Sequence, residues 1–235
     1  MADWQWIETP LPANRLFYHI NVLPVQCDQR LLLGTDDGQL YHWNGGAFEQ
    51  IAGPLPWTGE ALLQLAVSPD FAADPRMIAV SARQNSVGNY EVHVWESLDC
   101  GLHWGSLATL ETEVPAVALC WPHDPAQQSL FLATQNRVIR LFRASGAMEL
   151  ALEQHFLAAG VNITALAASP RYAVERTLWA ATSRGLYHSP DGGSSWAGVG
   201  ATLAKRPVVA CFPDADTGQL LAVELGGAVW AMSLA

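Results

Sequence analysis

The sequence predicts an all-β fold, a five-bladed β-propeller of four-stranded antiparallel blades, and three observations lead there. Apolar runs of strand length recur along all 235 residues. An aromatic-centred triplet returns every forty to fifty residues or so, the spacing of propeller blades. Two of those triplets lead into the same turn signature, Ser-x-Asp-x-Gly-x-x-Trp.

The triplets are LYH (40–42), VWE (94–96), LFR (141–143), LYH (186–188) and VWA (229–231). Their aromatics, Tyr41, Trp95, Phe142, Tyr187 and Trp230, lie 54, 47, 45 and 43 residues apart, and 46 more lead through the termini back to Tyr41. Upstream of each lies a second short run: LLLGT, MIAVS, LFLAT, LWAAT and LLAVE, beginning at Leu31, Met77, Leu130, Leu178 and Leu220. Further upstream come YHINVLPV, LLQLAVS, AVALCW, ITALAAS and VVACF. Small and β-branched residues fit these to innermost strands buried on both faces. Downstream of four triplets follow the more polar FEQIA, WGSLATL, MELALE and SWAGVG.

Four runs per unit make a blade, and the whole chain reads as one domain with blades at about 16–53, 60–110, 114–155, 161–201 and 206–235. The fifth unit ends before an outer strand. Residues 1–9, which contain WQWIETP, form an orphan segment ahead of the first unit. Pairing the two closes the ring and removes its exposed junction.

Half the residues are hydrophobic, enough for a sizeable core, and no apolar run approaches the roughly 20 residues of a membrane span. The N-terminus carries neither a basic start nor an apolar signal core, which points to the cytoplasm. Twelve basic against twenty-two acidic residues give a net charge of −10, the wrong sign for gripping nucleic acid or an anionic membrane. Cys27, Cys100, Cys120 and Cys211 form no Cys-x-x-Cys pair and no zinc spacing, so neither a metal site nor a disulfide framework is expected. Cys27, Cys120 and Cys211 end innermost runs, where packing explains a small side chain. A bridge between Cys27 and Cys211 is conceivable, but the expectation is free thiols in a reducing compartment.

The turn signature reads SLDCGLHW over Ser97–Trp104 and SPDGGSSW over Ser189–Trp196. Each copy lies between third and fourth runs, where a blade needs a tight turn. The Asp carboxylate accepts main-chain N–H groups, the Ser hydroxyl bonds locally, the Gly takes positive φ, and the Trp clamps the turn onto the blade. Ser97, Asp99, Gly101 and Trp104, like Ser189, Asp191, Gly193 and Trp196, therefore read as turn builders. The motif resembles the Asp-box, or BNR repeat, of sialidases, some glycoside hydrolases, sortilin-type receptors and photosystem assembly factors. The phrases AVSPDFAADPRMIAVS and AASPRYAVERTLWAATSRGLYHSPDGGSSW also look like the spacing of bacterial Asp-box propellers. The first and third units depart, keeping only the glycine turns WNGGAF and RASGAM. The resemblance implies a structural box far from any active site, with ligands bound at the opposite, upper face.

Antiparallel alternation puts two groups of residues on that upper face. Those opening the innermost runs include His19, Asn21, Glu60, Glu113, Asn162 and Arg206. Those between second and third runs include Asp36, Asp37, Arg83 to Tyr90, Gln135 to Arg137, Ser183, Arg184 and Glu224. From Met77 to Trp95 is 18 residues against 9 to 12 in the other units, so RQNSVGNY is an insertion on the useful face. Asp36, Asp37, Arg83, Asn85, Tyr90, Asn136, Arg184 and Arg206 are the binding candidates. His42 and His188 share their blade position with Glu96 and Arg143 and read as solvent-facing.

The function expected is a non-catalytic binding or scaffolding module, without metal or cofactor. It would hold a protein, peptide or glycan, and a monomer suffices. The alternative is a glycoside hydrolase using Glu60 and Glu113, whose carboxyl groups would have to stand about 5–9.5 Å apart. Against a sialidase stand the missing arginine set, with only Arg206 well placed, and five units where the usual sialidase ring has six.

Overall fold

The computed structural model describes residues 17–22, 31–35, 38–43, 47–51, 55–71, 73–143 and 150–234. The expected closing strand at 1–9, the candidates Asp36 and Asp37, and Cys27 lie outside the described residues. Within them are five antiparallel sheets. The first comprises β1 (Phe17–Val22), β2 (Leu31–Thr35), β3 (Leu40–Trp43) and β4 (Phe48–Gln50), and the second β5 (Ala61–Val67), β6 (Met77–Gln84), β7 (Tyr90–Ser97) and β8 (Gly105–Thr112). The third comprises β9 (Ala118–Cys120), β10 (Leu130–Thr134), β11 (Arg137–Arg143) and β12 (Leu150–Phe156), and the fourth β13 (Ile163–Ala168), β14 (Leu178–Thr182), β15 (Gly185–Ser189) and β16 (Ala197–Val199). The fifth has three described strands, β17 (Val208–Asp214), β18 (Gln219–Glu224) and β19 (Val229–Ser233). A one-turn helix, α1 (Tyr172–Glu175), links β13 to β14. Each sheet is a meander in chain order, and β1, β5, β9, β13 and β17 lie side by side in that order.

The sheets are held face to face by alternation along their second strands. In β6, Ile78, Val80 and Ala82 pack toward the third sheet while Met77 and Ala79 pack toward the first. In β10, Leu130 and Leu132 face the second sheet, and Phe131 and Ala133 the fourth. In β14, Leu178 and Ala180 face the third sheet, and Trp179 and Ala181 the fifth. Each fully buried Leu, Ile or Phe contributes about 1.5–3 kcal/mol of transfer free energy. The expectation of doubly buried innermost strands is thereby corrected. It is the second strands β10 and β14, and β6 up to Ala82, that are buried throughout, whereas β5, for example, buries only Leu62 and Leu65 and leaves the rest half-buried. An innermost strand has a sheet neighbour on one edge only, so part of its surface stays open.

Four innermost strands carry a register shift near their first residues, between Phe17 and His19, Leu62 and Gln64, Ile163 and Ala165, and Val208 and Ala210. Such bulges bend a strand at its end. Beside the bulges, Gln64 donates its amide to Val117 O at 3.0 Å and Thr164 its hydroxyl to Val208 O at 2.6 Å, stitching one sheet to the next.

Both turn signatures adopt one hydrogen-bond pattern. Gly101 N donates to Ser97 Oγ at 2.9 Å, Ser97 Oγ to Asp99 Oδ1 at 2.9 Å, His103 N to Asp99 Oδ1 at 2.9 Å, and Trp104 Nε1 to Gly101 O at 2.9 Å. The second copy repeats it: Gly193 N to Ser189 Oγ at 2.8 Å, Ser189 Oγ to Asp191 Oδ1 at 2.8 Å, Ser195 N to Asp191 Oδ1 at 2.8 Å, and Trp196 Nε1 to Gly193 O at 2.9 Å. Burial pulls both carboxyls up, but the donors around them, led by His103 at Asp99 and Ser195 at Asp191, hold both pKa values below the usual carboxylate range. Trp104 also meets the fully buried Trp57 edge-on, ring centroids 5.0 Å apart, tying the second sheet to the linker from the first.

At the same lower end, arginines bridge neighbouring sheets. Arg76 donates to Asp74 and reaches Gln128 of the third sheet at 3.1 Å. Arg176 donates to Asp124 Oδ2 at 2.9 Å and also to Gln127. Two smaller expectations change. His188 is half-buried against Trp179, and burial lowers its pKa. Cys100 is disulfide-bonded, at odds with the free thiols of a reducing compartment. Cys120 and Cys211 are free and buried, so Cys211 forms no bridge, and burial pushes both thiols up to about 12.

Candidate functional site

The upper end of the molecule carries the β6–β7, β10–β11 and β14–β15 hairpins and the connections from β8 to β9 and from β12 to β13. Between the second and third sheets these enclose a cleft of about 410 Å³. One wall is Glu111 and Thr112 at the end of β8, followed by Glu113 and Val114, with Asn89 beside them. The other is Thr134 to Arg137 and the end residue of β12, Phe156.

Local chemistry fixes both walls. Asn85 folds the inserted hairpin by accepting Asn89 N at 3.0 Å and Val87 N at 3.1 Å, and Asn85 and Asn89 donate side-chain amides to Glu111 Oε1 at 3.3 and 3.2 Å. Thr112 Oγ1 donates to Val114 O at 2.6 Å, shaping the exit from β8. Opposite, Gln135 takes φ 42°, left-handed backbone that a non-glycine residue holds only when its surroundings impose it. Here Ile163 N donates to Gln135 O at 2.6 Å and Leu157 N to Asn136 O at 2.8 Å, so the hairpin is clamped from two sides. Arg137 donates to Gln154 Oε1 at 3.1 Å and, more weakly, to Thr134 Oγ1 at 3.4 Å. Phe156 is 65% exposed, an aromatic ring left in water at the rim.

Of the expected binding residues, Asn136 lines this cleft, and Asn85 supports it from behind. The others are spread elsewhere. Arg83 pairs with Glu91 at 2.7 Å, and its guanidinium holds the Glu91 carboxyl below the usual range. Tyr90 packs its ring against the core between the second and third sheets. Arg184 lies over Gly160, and Arg206 pairs with Glu224 at 3.1 Å and covers the Trp230 ring. Strand alternation points to residues that open innermost strands or sit in the β6–β7, β10–β11 and β14–β15 hairpins, whereas this cleft lies between two sheets. Glu111 and Phe156 belong to outer strands, which that alternation does not single out. The legible signal was Phe156 itself, an aromatic ending the otherwise polar stretch EQHF.

The carboxyl pair of the hydrolase alternative is not brought into this cavity. Glu113 faces the cleft, but Glu60 is turned into the second sheet, accepting Ser81 Oγ at 2.5 Å and facing His93 Nδ1 at 3.0 Å. Ser81, His93 and Glu60 do not make a nucleophile relay either. The hydroxyl donates to the carboxylate rather than to the imidazole, it also accepts Trp95 Nε1 at 2.9 Å, and Ser81 is fully buried. Among the described residues no grouping of three His, Cys, Asp or Glu side chains is arranged to hold a metal ion. No helix among the described residues is long and apolar enough to cross a membrane.

No protein-family model and no curated protein matches the sequence. Solved structures do match the fold, and these neighbours are β-propellers. The chain is similar to BBS1N, solved in complex with ARL6DN, at 17% identity and TM-score 0.61, covering 96% of this chain and 67% of that one. It is similar to the Dos1 propeller at 9% identity and TM-score 0.60, covering 93% of this chain and 57% of that one. It is similar to YCF48, solved bound to D1 peptide, at 11% identity and TM-score 0.52, covering 95% of this chain and 79% of that one. At such identities the likeness is one of fold.

Proposed function

We propose that the chain is a single-domain, five-bladed Asp-box propeller that acts as a non-catalytic binding module, holding a segment of another protein in the cleft between its second and third sheets. The observation that carries this is the cleft itself, a polar cavity with one exposed aromatic, walled by hairpins clamped in place before any partner arrives. Its residues offer amides, carboxylates and a guanidinium for recognition, with no nucleophile and base in register for turnover. BBS1N and YCF48 were solved with a protein and a peptide bound, which favours the same class of partner here.

Residues 1–9 would complete the fold as a fourth strand beside β19. In support, β19 ends a sheet of three described strands and exposes Val229 and Met232. An apolar cavity of about 250 Å³, lined by Leu203, Trp230 and Met232 among others, opens beside it. A ring closed in this way folds as a monomer.

An array of random twelve-residue peptides tests the binding reading, probed with the wild-type chain and with Asn136→Ala and Phe156→Ala. Peptides retained by the wild type and lost from both variants support it. Retention unchanged in both variants moves the site away from the cleft, and turnover of aryl glycosides would replace the reading with the enzymatic one.

A further inference from the structure

Resting on the reading of the cleft as a peptide site, we propose that it selects a cationic side chain, arginine or lysine, set beside an apolar or aromatic contact. The two carboxylates of one wall carry the argument. Glu111 and Glu113 are both exposed and two residues apart at the end of β8, with Thr112 between them turned inward and buried, so they present charge on one side. No cation answers them among the described residues. The bonds to Glu111 come from the neutral amides of Asn85 and Asn89, and none reaches Glu113. The one guanidinium in the lining, Arg137, belongs to the opposite wall and bonds to Gln154 and Thr134 of its own sheet rather than to either carboxylate.

The ring of Phe156 closes the other side. An aromatic face attracts a guanidinium or ammonium, and its hydrocarbon surface takes the aliphatic stem. Asn136, Gln135 and Asn89 supply amide groups suited to a peptide main chain. The net charge of −10 draws cationic segments in and repels anionic ones. A neutral glycan would find the aromatic and the amides but would leave the two carboxylates without counter-charge, so the peptide is preferred.

The test reads residue enrichment on a random peptide array with the wild type, Glu113→Gln and Asp216→Asn. The last removes the same charge from a turn at the opposite end. A binder from the array is then compared with its arginine-to-citrulline twin by fluorescence anisotropy, and chitotetraose and maltotetraose are titrated in parallel. Arginine or lysine should be enriched on the wild type and on Asp216→Asn but not on Glu113→Gln. Citrulline should weaken binding about tenfold, as expected for loss of a charge-assisted contact, and the difference should shrink between 50 and 300 mM salt. Peptides that bind in the cleft without cationic enrichment, or with enrichment unchanged in Glu113→Gln, overturn this inference while the peptide reading stands. Binding of an oligosaccharide with no peptide retained overturns both.

Discussion

Replacing Gly193 by alanine tests whether the turn signature is built against the neighbouring sheet or merely adorns its own. Gly193 has φ +93°, and a Cβ placed on it would stand 3.2 Å from Phe131 Cε1 and 3.5 Å from Leu178 Cδ1. Gly88, at the tip of the inserted hairpin, has nearly the same φ, +92°, with nothing within 4 Å of that position. The conformational cost of a non-glycine residue at positive φ, about 1–2 kcal/mol, is therefore common to both. The small gain from a less flexible unfolded chain, about 0.4–1 kcal/mol, is also common. What differs is the close approach to Phe131, whose ring is fully buried, and overpacking of this kind adds about 1–3 kcal/mol. Gly193→Ala should thus be less stable than Gly88→Ala by about 1–3 kcal/mol. Urea titration followed by tryptophan fluorescence reads this as a lower midpoint at unchanged slope. Equal midpoints, or Gly88→Ala the weaker of the two, would show that the turn does not press on the third sheet and would refute its role in joining the sheets.

Acid should unfold the protein through its depressed carboxyls. Asp74, Asp124 and Asp191 have folded pKa values below the usual carboxylate range, so their contribution is complete above about pH 4 and disappears as the pH falls through those lowered values. Asp191→Asn should flatten that acid limb, as followed by the thermal midpoint between pH 6 and 2.5. Cys120 and Cys211, with thiols pushed up to about 12 and both buried, should resist iodoacetamide at pH 8 in the native chain and react after denaturation, as read by peptide mass spectrometry. Removing residues 2–9 should leave the main-chain edge of β19 without its proposed partner strand. The uncovered edge should lower the melting temperature, with self-association visible by size-exclusion chromatography. An unchanged melting temperature and a monomeric profile would remove the closure proposal.

The strand pattern was legible because each second strand announces itself. LFLAT and LWAAT are rich in apolar residues and closed by a single Thr, and their starts at Leu130 and Leu178 coincide with β10 and β14. The turn signature was equally plain, since Ser, Asp, Gly and Trp at that spacing have few other uses. Local bonds between residues two to four apart are encoded locally. The bulges beside Leu62 and Ile163 left no such mark, because a register shift depends on which residue the neighbouring strand offers. Glu60 shows the same limit. Its place at the head of β5 follows from the strand pattern, but its direction was set by Ser81 and His93, twenty-one and thirty-three residues away.

The cleft lies beyond what the sequence could decide. Glu111, Asn136 and Phe156 come from three strands or hairpins of two different sheets, and each alone is an ordinary surface residue. The sequence by itself determined the repeating module and its turns, since periodicity and turn chemistry act over a few residues. Which modules' edges meet, how far the hairpins lean together, and which charges are left without partners were decided by packing one sheet on the next. Those distances are set by side chains such as Phe131 and Leu132, which interlock with the sheets on either side through residues tens of positions away in the chain.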